Sequence, residues 1–158
     1  MNGNRRWMWL AGLALALSAA GCAMVGTMPK EQGDQARNLT PPEGKALVYV
    51  VRPARIGMGV PMTVTCDSVE VGRTGGARFV YAVLDTGAHV FASKAENRSE
   101  LPIVLEAGKT YYLEQKVTMG LLYARNKLVR LEEKEGREKL LKCYLSNDNS
   151  ATPRAPEK

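Results

Sequence analysis

The chain of 158 residues is poor in aromatic side chains, which make up 6% of it, and it holds one histidine, His89. A metal centre wants further His or Cys ligands at suitable spacing, and none lies near His89 in the sequence. No Gly-x-Ser-x-Gly elbow accompanies it, so nucleophilic acyl transfer has no local signature. Gly108-Lys109-Thr110 mimics the end of a phosphate-binding loop, but Ile103 stands where an earlier glycine is required, and the segment joins strand to strand. There is no low-complexity tract. There is also no basic stripe with interleaved aromatics, which argues against nucleic acid as a partner. The longest apolar run, Trp7 to Ala20, is 14 residues, short of the roughly 20 needed to span a bilayer. These absences point away from an enzyme, and no cofactor or metal is expected.

The apolar run has a specific setting. Arg5 and Arg6 precede it, Ala19-Ala20-Gly21-Cys22 closes it, and residues 27–38 turn polar. A positive start, a short apolar stretch and small residues at the end form a secretory signal. Ending at once on a cysteine, it looks like a lipobox, with Ala19 where leucine is more usual. The resemblance implies that the Cys22 sulfur receives a diacylglyceryl group and that cleavage makes Cys22 the new N-terminus. Ala23 follows; the absence of aspartate there leans towards the outer membrane. Removing the two leader arginines lowers the formal charge from +6 to +4, with signs well mixed. The expected division is a signal peptide over 1–21, a lipid-anchored flexible tether over 22–43, a domain over 44–146 and a disordered tail over 147–158. Asn38-Leu39-Thr40 and Asn97-Arg98-Ser99 match a glycosylation sequon by chance.

Within the domain, short strands alternate with turn signals. Ala46 to Val51 is almost continuously apolar, as a central strand would be, and Arg52-Pro53 ends it. Met62 to Cys66 and Val69 to Val71 flank Asp67-Ser68, a tight hairpin turn. Further strands are expected at Arg78 to Leu84, Ala88 to Ser93, Leu101 to Leu105, Tyr111 to Met119 and Leu128 to Leu131. Tyr49, Tyr81, Tyr111, Tyr112 and Tyr123 fall inside apolar runs, which suggests structural use. Glu132 to Leu145 reads as one amphipathic helix with Leu140, Leu141 and Tyr144 on its packed side. The fold class is mainly β: a small antiparallel β-sandwich of about seven to eight strands with one C-terminal helix.

Four segments in order resemble a domain of unknown function carried by small bacterial lipoproteins, itself similar to PEGA-type sandwiches. They are the strand Gly44 to Pro53, the hairpin Val64 to Gly72, the turn Gly87-Ala88-His89-Val90, and Glu106-Ala107-Gly108-Lys109-Thr110-Tyr111-Tyr112. The resemblance implies fold and location, and no activity. It makes Gly87 and His89 a structural turn, with the histidine fixing strand entry by hydrogen bonding.

With Cys22 lipidated, Cys66 and Cys143 would be left in an oxidising compartment. A disulfide between them closes a loop of 77 residues, worth roughly 4 kcal/mol by chain entropy; two buried thiols acting as small apolar groups are the equal alternative. The expected role is a non-catalytic binding or accessory module, held to a membrane through Cys22 and meeting an envelope protein. The alternatives are a carrier of a small apolar ligand between the sheets and an envelope hydrolase using His89.

Overall fold

The computed structural model describes residues 25–119 and 124–150. Two sheets and two helices build three layers. The elements are α1 (Lys30–Arg37), β1 (Lys45–Arg52), β2 (Met62–Cys66), β3 (Val69–Thr74), β4 (Arg78–Asp85), β5 (Gly87–Lys94), β6 (Arg98–Leu105), β7 (Thr110–Met119), β8 (Ala124–Leu131), α2 (Glu133–Leu141) and β9 (Tyr144–Leu145). One sheet runs β8-β7-β1-β4-β9 and the other β3-β2-β5-β6. The chain is mainly β, a small sandwich with a C-terminal helix.

The first strand explains the layering. Side chains alternate across a strand, and β1 is buried on both faces. Ala46, Val48 and Val50 meet Val64, Cys66, Phe91 and Leu105 of the second sheet. Leu47, Tyr49 and Val51 point the other way into a second core. That core is roofed by Ala36 of α1 and Leu140 of α2. An unbroken apolar run is what a strand covered twice requires.

Several details depart from expectation. The sandwich is not wholly antiparallel: β1 runs parallel to β7, and β4 parallel to β9. The C-terminal helix stops at Leu141, leaving Leu141 and Tyr144 73% and 52% exposed. Tyr144 and Leu145 instead complete the open edge of β4, where the Tyr144 amide donates to Ala77 and the Ser146 amide to Phe79, both at 2.9 Å. Two residues suffice because an unpaired strand edge offers a row of free backbone groups.

The segment read as a flexible tether carries α1. Its Ala36 carbonyl accepts the Tyr49 hydroxyl at 2.5 Å, and the Met28 amide donates to Leu145 at 2.9 Å. The tail is pinned too as far as Ser150: the Arg73 amide donates to Asp148, the Ser150 amide to Val71, and Asp148 pairs with the Arg73 side chain. Gly72 is required there, since a Cβ would collide with the Asp148 carbonyl. Residues 151–158 lie outside the described residues, as do the segment expected to be a signal peptide (1–21), Cys22 and Tyr123.

Candidate functional site

The strands end at two poles. At one, the β2–β3 hairpin turns on Asp67 and Ser68, with φ of 49° and 71°. Both central residues are left-handed, as the tightest two-residue hairpin demands, and Asp tolerates this by using its side chain locally. One Asp67 oxygen accepts the Val90 amide at 2.8 Å. The other meets His89 Nδ1 at 2.6 Å, while His89 Nε2 lies 3.1 Å from the Asp85 carbonyl. Asp85 pairs with Lys45 at 2.5 Å. The expected structural histidine is therefore a brace between the β2–β3 and β4–β5 turns. Gly87 begins β5 at φ 126°, in the region that favours glycine. The Val90 amide first, and then His89, hold the Asp67 carboxyl below its ordinary value.

This corner lacks triad geometry. The Cys66 sulfur also approaches Nδ1, at 3.8 Å, so thiol and carboxylate share one ring nitrogen and the other faces a backbone carbonyl. A base that relays a proton needs acid and nucleophile on opposite nitrogens. Cys66, Asp67 and His89 do bring three ligand atoms within 4.8 Å of one another. Sequence spacing missed this cluster because pairing of β2 with β5, not proximity along the chain, assembles it. Together they could hold a divalent ion only once the thiol has lost its proton, and burial pushes the Cys66 thiol up to about 12.

The two cysteines are not bonded. Cys66 belongs to the core between the sheets and Cys143 to the core under the helices. The five-stranded sheet stands between them. Burial pushes Cys143 up to about 12 as well.

The opposite pole is built around Arg52, whose side chain is fully buried. Its guanidinium donates to the carbonyls of Gly57 and Val60 at 2.7 Å, Ile56 at 3.3 Å and Thr74 at 3.4 Å. A buried cation must be satisfied or neutralised, and here the main chain of residues 53–61 wraps round it to supply acceptors. The wrapping turns side chains outward: Ile56, Met58 and Val60 are 54%, 52% and 40% exposed. Gly76 lets the loop close, since a Cβ there would lie 2.5 Å from Met58 Cγ and 3.1 Å from the Ala54 carbonyl.

Beside this loop is a hollow of about 180 Å³ bordered by Val25, Arg55, Met58, Gly76, Arg78 and Tyr144. Arg78 donates from Nε to the Gly26 carbonyl at 3.3 Å and from Nη1 to the Gly76 and Ala77 carbonyls at 3.1 and 3.3 Å, leaving Nη2 for an outside partner. It also stacks over the Tyr144 ring at 6.0 Å. No carboxylate pairs with Arg55 or Arg78 among the described residues. Little in the sequence marks this pole, since Arg52 before a proline has the pattern of a strand terminator. The one signal was three apolar residues spaced by glycines in a turn segment.

Among curated proteins, the chain is similar to an uncharacterised protein of Haemophilus influenzae. The two are 29% identical over 139 residues, covering 87% of this chain and 82% of that protein. No family model matches the chain, and no solved structure matches it. Among the described residues, no helix is long and apolar enough to cross a membrane.

Proposed function

We propose that this chain is a bacterial envelope lipoprotein, cleaved before Cys22 and anchored through lipid on that cysteine. Its sandwich acts as a non-catalytic binding or accessory module for another envelope protein. The observation that carries the reading is the order Arg5-Arg6, apolar Trp7 to Ala20, then Ala19-Ala20-Gly21-Cys22. Two or more acyl chains on one residue anchor stably where a single chain does not. Ala23 favours the outer membrane, facing the periplasm.

Two features weigh against the rival readings. A carrier of small apolar molecules needs room between its sheets, and Val48, Val50, Val80, Phe91 and Leu113 fill that layer at 0% exposure. A hydrolase using His89 needs a free ring nitrogen beside a nucleophile, and the Asp85 carbonyl occupies Nε2.

The test is cross-linking in intact cells, followed by purification and mass spectrometry of wild type and Cys22→Ser. A diacylglyceryl mass on Cys22, with a partner captured reproducibly and lost in the variant, is the expected result. An unmodified Cys22 would sink the reading. Lipidation with no captured partner would remove the accessory-module half of it.

A further inference from the structure

The distance between anchor and domain follows from the packed N-terminal segment. Val25 borders the hollow at the Arg52 pole, and the chain is then pinned by pairing of Thr27 with Ser146. Cys22 is three residues before Val25. An extended chain covers at most about 3.6 Å per residue, so the two α-carbons lie within about 11 Å. A flexible tether reaching to residue 43 would have let the domain hang in any orientation; three residues do not.

We infer that the Arg52 pole rests on the bilayer surface, with Ile56, Met58 and Val60 in the interfacial layer and Arg55 and Arg78 against lipid phosphates. The inference builds on the lipoprotein reading and adds an orientation to it. Three observations converge on this face. The protruding side chains are held out by a loop whose carbonyls are fixed on Arg52, so their exposure is built into the fold. The two arginines bordering the hollow have no carboxylate partner among the described residues, which suits an anionic headgroup. Tyr144, 52% exposed beside Arg78, is amphipathic, as interfacial aromatics are. A short anchor also raises the effective concentration of this face at the membrane, so modest affinity is enough. The opposite pole, with Asp67 and His89, then faces away from the bilayer.

The orientation can be read by fluorescence depth. The lipidated protein would be purified as Met58→Cys and, separately, as Val104→Cys, a position 64% exposed on β6 near the far pole. Each is labelled with a polarity-sensitive thiol dye and placed in vesicles of phosphatidylethanolamine and phosphatidylglycerol. Cys66 and Cys143 are 4% and 1% exposed and stay unlabelled in the folded protein. Ile56→Cys repeats the measurement should Met58→Cys fold poorly. Blue-shifted emission, quenched several-fold more by lipids carrying a nitroxide at position 58 than at 104, is the expected result. Equal quenching at both positions, or none at either, with Cys22 lipidated in the mass spectrum, overturns the orientation and leaves the lipoprotein reading standing. An unmodified Cys22 overturns both.

Discussion

The two poles of the sandwich solve the same problem, ending a set of strands, in opposite ways. Around His89 the turns are short and closed by side chains: Asp67 to His89, Asp85 to Lys45, and Glu106 to Lys109 at 2.8 Å. Around Arg52 the loop is turned inside out. The charged side chain is in the interior with main-chain acceptors, and the apolar side chains of Ile56, Met58 and Val60 stand in the open. The first end is satisfied in water as it is. The second presents apolar surface beside two arginines that no described carboxylate pairs, so its contents make sense against something other than water.

The largest test of that contrast removes its pivot. Arg52→Met takes the donors from the carbonyls of Ile56, Gly57, Val60 and Thr74. It should lower unfolding free energy by about 4 kcal/mol, at roughly 1 kcal/mol per lost bond, measured by urea denaturation. Unchanged stability would mean that the loop does not depend on Arg52.

Next, Gly76→Val places a branched side chain where Met58 and the Ala54 carbonyl already lie. Overpacking of this kind costs about 1–3 kcal/mol, and a thermal melt with a normal midpoint would refute the close approach.

A smaller effect belongs to the other pole. The carboxyl of Asp67 is held below its ordinary value. Its contribution is therefore present above about pH 4, the unfolded value, and is lost as pH falls through the lower folded value. The Asp67 side chain is 49% exposed, so screening keeps that contribution under about 1 kcal/mol. The stability of Asp67→Asn, followed from pH 6 down to 2, should fall less steeply in acid than that of wild type. Parallel curves would count against the brace.

The smallest expected effect is none: a thiol reductant should leave the unfolding midpoint of wild type where it was, because Cys66 and Cys143 are unbonded. A marked drop would restore the disulfide.

How much of this could be read beforehand depends on the kind of signal. The strand over Ala46 to Val51 was legible because burial on both faces leaves an unbroken apolar run. The hairpin at Asp67-Ser68 was legible because two-residue turns draw on few residue types. Alternation says nothing of pairing direction, so the parallel approach of β7 to β1 was not. Helix α1 was invisible for another reason. Lys-Glu-Gln-Gly-Asp-Gln-Ala-Arg has no apolar stripe, and it buries only Gly33 and Ala36. It also begins after Pro29, with no side-chain cap. Small residues packing closely leave no periodic trace. Of the candidate sites, His89 drew notice as the one histidine of the chain, whereas its closeness to Cys66 and Asp67 came only from strand pairing. Arg52 was missed because its partners are carbonyls, which no side-chain pattern encodes.

The separation of Cys66 from Cys143 by a whole sheet has a practical corollary for biogenesis. Because neither thiol waits on the other, folding of the described residues needs no oxidase or isomerase for this pair. The sandwich should therefore reach the same fold under reducing and under oxidising conditions.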